Sequence, residues 1–177
     1  MRGKAVFAAA AGMSLLVAMT GFGPLARRAL SDAEIAAVVV EANAIDAELG
    51  DLAAARATQE GIRDFGRTMA RDHRAVNEQV AGLGAKLGLT PVASDVSRKL
   101  RADATAYRAQ LDRLSGVAFD RSYIEHEVAY HKAVIEAVDS VLLPGAQNAE
   151  LKKALTDVRP ALVAHLRHAE QLHAAVK

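Results

Sequence analysis

The chain has 177 residues, of which 51% are apolar and only 4% aromatic, with 22 basic residues against 21 acidic ones and no cysteine. Such a near-neutral, mixed surface carries no footprint for nucleic acid. The missing thiol excludes a disulfide scaffold, a thiolate zinc site, an iron–sulfur cluster and a lipoprotein anchor.

Met1-Arg-Gly-Lys4 is a short basic start, and Ala5 to Gly23 then runs without a charge. That is the pattern of a secretory signal, and residues 1–30 are set apart from the folded domain at 31–177 on this ground. The cleavage signal is poor, because Pro24 directly follows Gly21-Phe-Gly23. The apolar run is also about as long as a membrane span, roughly 20 residues. A cleaved signal, a retained anchor and a cytoplasmic helix with an apolar start are the three readings. The first two place the remainder outside the cytoplasm, periplasmic or otherwise exported, because basic residues stay inside.

From Ser31 onward no strand-like alternation occurs, and Ala, Leu, Arg, Glu and Lys favour helix. Ser31-Asp-Ala-Glu34 reads as a capping box opening a helix to about Ala57. After a break at Thr58-Gln-Glu-Gly61, Ile62, Phe65, Met69, Val76, Val80, Leu83 and Leu87 stripe a second helix, which Gly88-Leu-Thr-Pro91 ends. A more charged helix over 94–114 reads as a crossover or cover helix. Ile124, Val128, His131, Ile135, Val138 and Leu142 stripe a helix over 119–142. Leu143-Pro-Gly145 breaks it, Asn148 can cap the next, and that last helix carries Leu151, Leu155, Val158, Leu162, His165, Ala169, Leu172 and Val176. Pro160 can kink it. Two helical hairpins joined by a connection containing a helix predict an all-α four-helix bundle with an extra crossover helix.

Three histidines, His73, His131 and His165, occupy stripe positions on three different helices. An imidazole facing a core needs hydrogen-bond partners or a metal. Glu48 flanks the stripe of the first helix between Ile45 and Leu52, and Glu41 lies two turns earlier. Glu127 sits four residues before His131, on the same side. Counting residues from the loops at about 1.5 Å each puts Glu48 level with His73 and Glu127 level with His165. By the same count His131 falls roughly 6 Å nearer the loop, at the edge of the site or on a second ion. Glu48, His73, Glu127, His131 and His165 are therefore the candidate metal ligands, a nitrogen and oxygen set that suits zinc, iron, manganese or copper. Met69, four residues before His73, reads as core packing or as a soft copper(I) ligand. Tyr123 reads as a core residue with an exposed hydroxyl, or as a donor to Glu127. His126, His168 and His173 point away or lie near the terminus. The Glu170-Gln-Leu-His173 spacing has its solvent-side position against it.

Ala42-Asn43, Glu48-Leu-Gly50 with Leu52-Ala53, Met69-Ala-Arg-Asp-His73, Leu114-Ser-Gly116 with Phe119-Asp120 and Tyr123, His131, and Pro160 with Leu162, His165 and Leu166 occur in that order. In these motifs the chain resembles the bacterial domain-of-unknown-function family 4142, over about Ser31 to Val176. The resemblance implies a ferritin-like bundle and an exported location, and no established activity. Well-placed Glu-x-x-His pairs of ferroxidases are lacking. An exported metal-binding bundle is the first functional expectation. A structural or stress-related envelope module without metal is the alternative, and a membrane-held sensing or docking module is a third. Membrane association and self-association are the partner classes in view, without nucleic acid.

Overall fold

The structure is a computed structural model that describes residues 29–176. All regular structure among these residues is helical. α1 is Asp32–Arg56, α2 Glu60–Leu87, α3 Asp95–Leu111 and α4 Gly116–Ala137. A π-helical turn, Val138–Leu142, and a short α5, Leu143–Gly145, follow, and α6 is Ala149–Ala175. No helix among the described residues is long and apolar enough to cross a membrane. The predicted leader lies almost wholly outside the described residues.

The helix ends follow the expected chemistry. The Ser31 hydroxyl accepts from the Glu34 backbone N–H, and the Glu34 carboxylate answers the Ser31 N–H at 2.9 Å. Asn148 accepts from the Glu150 and Leu151 N–H groups to start α6. Gly88 ends α2 in the left-handed region, at φ 62°, where a β-carbon would be strained. The boundaries differ from the sequence reading mainly at α2, which begins at Glu60, and at the end of α4. The wider π winding there lies just before Pro144, whose ring would clash with the Ser140 carbonyl in a regular α-helix. Pro160 sits inside α6, which continues through it.

α1 and α2 form one antiparallel hairpin, α4 and α6 the other, and α3 covers α1 on its way between them. α1 is buried on more than one face, from Ile35 and Val38 to Asn43, Asp46, Gly50 and Ala53. Its crossing with α2 is close because two glycines meet there. A β-carbon on Gly66 would lie 2.6 Å from the Gly50 carbonyl oxygen, and the converse distance is also 2.6 Å. Asp46 is one turn before Gly50, and His73 is seven residues after Gly66, so this contact fixes their relative height.

Each hairpin is tied to the other by an aspartate. Asp120 of α4, fully buried, accepts from the Thr58 N–H at 2.9 Å, the Thr58 hydroxyl at 2.6 Å and the Gln59 N–H at 2.9 Å. Asp32 of α1 accepts from the Gln147 and Asn148 N–H groups at 2.8 and 2.9 Å. Tyr130 donates to the Ala42 carbonyl at 2.8 Å, a third link between α4 and α1.

Gly66→Ala is expected to destabilise the fold by about 1–3 kcal/mol, since the added methyl meets backbone rather than a mobile side chain. Gly82→Ala meets nothing within 4 Å and should stabilise by about 0.5–1 kcal/mol. Thermal melts followed by circular dichroism check both signs. Asp120→Ala takes the acceptor from three half-buried donors at the α1–α2 turn and should cost about 1–3 kcal/mol in urea unfolding.

Candidate metal centre

α2, α4 and α6 bring His73, His131 and His165 to one place. Their ring centroids are 5.8, 5.3 and 5.5 Å apart, pair by pair. One nitrogen from each ring lies within 4.8 Å of the other two. His73 and His131 are buried and His165 is partly so. His131 is therefore a full member of the cluster and not at its edge. Counting residues from the loops ignores the tilt of one hairpin against the other.

The carboxylate from α1 is Asp46, which the sequence reading did not select. It is 1% exposed, and its Oδ2 stands 3.0 Å from His73 Nε2 and 3.6 Å from His131 Nε2. Glu48 is two residues on, about 200° around the helix at 3.6 residues per turn. It projects from the outer side, where Arg101 of α3 donates to it at 2.7 and 3.1 Å and also pairs with Glu41. The structure does not bring Glu48 to the histidines. Asp46 could have been found from Gly50. A carboxylate one turn from a helix-crossing glycine shares the face on which another backbone comes close, and must be buried there.

Glu127 is where the sequence places it, buried one turn before His131, with its Oε2 3.5 Å from His131 Nδ1. Asp46, Glu127 and His131 form a second group of ligand atoms within 4.8 Å of one another. Tyr123 is fully buried in the layer below, stacked in the core with Phe119, so its hydroxyl is not exposed. Met69 is also fully buried, as a core residue. His168 and His173 are exposed, and Glu170 pairs with Lys132 at 2.8 Å. His126 stacks on Tyr107 at 3.8 Å between α3 and α4.

Each imidazole has one nitrogen occupied by an acceptor, and this sets its tautomer. Asn43 donates its amide N–H to the Val39 carbonyl at 2.8 Å, which turns its oxygen toward His73. His73 Nδ1–H donates to that oxygen at 2.7 Å. His131 Nδ1–H donates to the Glu127 carbonyl at 3.0 Å, and His165 Nε2–H donates to Asp72 at 3.1 Å. The other nitrogens are His73 Nε2, His131 Nε2 and His165 Nδ1. Among the described residues these three, and both oxygens of Asp46, have no aligned hydrogen-bond partner.

The electrostatics follow from that arrangement. Burial opposes the charge on Asp46, but His73, His131 and His165 outweigh it and hold the pKa down at about 2. Burial and the Asp46 charge push the Glu127 carboxyl well above its ordinary range, toward the neutral acid. Burial lowers the pKa of His131, and burial with the neighbouring rings lowers that of His165, so both favour the neutral, ligating form. His73 is the exception. Burial lowers its pKa too, but Asp46 overcomes this and leaves it above the usual value. Burial and then Glu127 raise the Tyr123 phenol well above its usual value.

In Asn43→Ala the anchor of His73 Nδ1–H is gone. At pH 9 the ring proton is expected to move from Nδ1 to Nε2, facing Asp46. Long-range proton–nitrogen correlation spectra of the imidazoles report that change directly.

A family model described as "Domain of unknown function (DUF4142)" matches residues 20–172. No curated protein and no solved structure matches the chain.

Proposed function

The chain belongs to the DUF4142 family, and we propose that it is a metal-binding helical bundle whose centre is built by Asp46, His73, His131 and His165. The observation that carries this reading is the meeting of one nitrogen from each of the three imidazoles within 4.8 Å, with Asp46 Oδ2 3.0 and 3.6 Å from two of the rings and no aligned donor on these atoms. A buried carboxylate is costly without a compensating charge, and a cation between these atoms supplies it. A tetrahedral ion with bonds of about 2.1 Å separates its ligands by roughly 3.4 Å. Asp46 Oδ2 stands 3.0 and 3.6 Å from two of the nitrogens.

His131 has one nitrogen free for a ligand bond, because Nδ1 serves the Glu127 carbonyl. Glu127, whose Oε2 lies 3.5 Å from that occupied Nδ1 and which burial holds toward the neutral acid, stands beside the centre and is not counted among its ligands. Asn43, Asp72 and the Glu127 carbonyl orient the rings, the usual arrangement behind metal-bound histidines. Three imidazoles with a carboxylate suit zinc, iron, manganese or copper. The set differs from a pair of Glu-x-x-His motifs, so ferritin-type di-iron chemistry is not part of this proposal. The resemblance to a ferritin-like, exported family and the basic start before Ala5–Gly23 support a bundle working outside the cytoplasm, held in or released from the membrane.

A second reading has one observation in its favour. The raised pKa of His73 suits an imidazolium paired with Asp46 in a metal-free structural module.

The two separate on metal analysis of protein purified without an affinity tag. Metal binding predicts one ion per chain, and stabilisation of about 2.7 kcal/mol at a hundred times the Kd. Asp46→Asn and His165→Ala should each weaken binding about 100-fold or more. Glu48→Gln, which touches only the Arg101 pair, should leave it unchanged. Absence of stoichiometric uptake, with a melting temperature indifferent to chelator and to added metal, would select the metal-free module.

A further inference from the structure

The end of the bundle at which α1 starts presents an uncharged loop. The chain turns there from α2 to α3, and residues 87–94, Leu-Gly-Leu-Thr-Pro-Val-Ala-Ser, carry no charge. The Val92 N–H donates to the Ala33 carbonyl at 3.0 Å, so the loop sits level with the first turn of α1. Val92 is 53% exposed, and Thr90, Pro91 and Ala93 are exposed around it. The charges that flank this stretch are paired, Lys86 with Glu150 at 2.7 Å and Asp95 with Arg98 at 2.6 Å.

What lies next to the loop in the chain selects its partner. Ala5–Gly23 is uncharged over 19 residues, close to the roughly 20 that a bilayer span requires. Only Pro24–Arg28 separate that run from Ala29, and so short a connection reaches at most about 20 Å. A span in the membrane therefore holds the start of α1, and the loop bonded to it, close to the lipid surface. Arg27 and Arg28 fall in this connection, where anionic headgroups attract basic side chains. The leader itself is a poor occupant for the apolar groove beside the loop, walled by Ala36, Val40, Val80, Leu83 and Leu151. A helix uncharged on every side would keep one face in water there, whereas a bilayer covers all of it.

We propose that the loop over residues 87–94 docks on the phospholipid bilayer that holds the leader, so that the bundle stands with the start of α1 on the membrane and the α1–α2 turn away from it. The inference rests on the reading of Ala5–Gly23 as a retained span and adds to it the surface that meets the lipid. Val92 and Pro91 enter the interface, and the flanking ion pairs stay at the level of the headgroups. His73 is 14 residues before Leu87 on α2. At about 1.5 Å per residue the metal centre then stands roughly 20 Å from the loop, clear of the lipid.

The chain has no tryptophan, so Val92→Trp and Val117→Trp each carry a single fluorescent reporter. The two valines are similarly exposed, at 53% and 48%, and Val117 lies in the first turn of α4, at the opposite end of the bundle. Each full chain is reconstituted in vesicles of phosphatidylcholine and phosphatidylglycerol, with and without bromine on the acyl chains. Brominated lipid should quench the Val92→Trp emission at least twofold and leave that of Val117→Trp unchanged. Thr90→Trp, in the same loop, gives the same comparison if Val92→Trp does not fold. Equal quenching at the two ends, or none at either, overturns the proposal. So does a blue-shifted but unquenched Val92→Trp emission, which gives the loop to a second copy of the chain. The mass of the chain recovered from cells reports the leader. Loss of residues 1–23 overturns the docking together with the retained span, whereas an intact leader with unquenched emission overturns the docking alone.

Discussion

A carboxylate sealed from water must be met by opposite charge or by donors, and Asp46 has beside it the rings of His73 and His131, which turn lone pairs toward it, so the charge it calls for is that of the proposed cation. The position of Asp46 is a consequence of backbone packing. Gly50 and Gly66 let α1 and α2 approach so closely that the face carrying Asn43, Asp46 and Gly50 has no solvent left. Larger side chains at the crossing would push the helices apart, admit water to Asp46 and carry His73 away from it. The close crossing and the buried acid are therefore one structural feature, and the histidines of the second hairpin converge on it.

The two hairpins must also keep a common height for those histidines to meet. Asp120 and Asp32 do this from opposite ends of the bundle. Each spends a carboxylate of one hairpin on the backbone donors at the turn of the other. Tyr130 adds a link at mid-height, next to the cluster. Side chains that hold the helices in register are thus separate from those that face the centre. The rings are then fixed individually, each by an acceptor on the nitrogen that turns away. That preorganisation gives the centre lone pairs instead of N–H groups, and lone pairs are what a metal ion takes.

Much of the architecture follows from residue spacing. The helical stripes, the Ser31–Glu34 capping box, the Asn148 cap, the Gly88 stop and the order of two hairpins around a middle helix all depend on local chemistry, which a sequence displays. His73, His131, His165 and Glu127 were legible for the same reason, as polar residues on apolar stripes. Family membership was legible from the order of its motifs. What tertiary structure decided was the face of α1. Glu48 and Asp46 are two residues apart on a helix that is buried on several sides, so periodicity could not say which one looks inward. The backbone crossing at Gly50 settled it, and Arg101 of α3 claimed the other. The level of His131 was likewise beyond counting, because it depends on how the hairpins tilt.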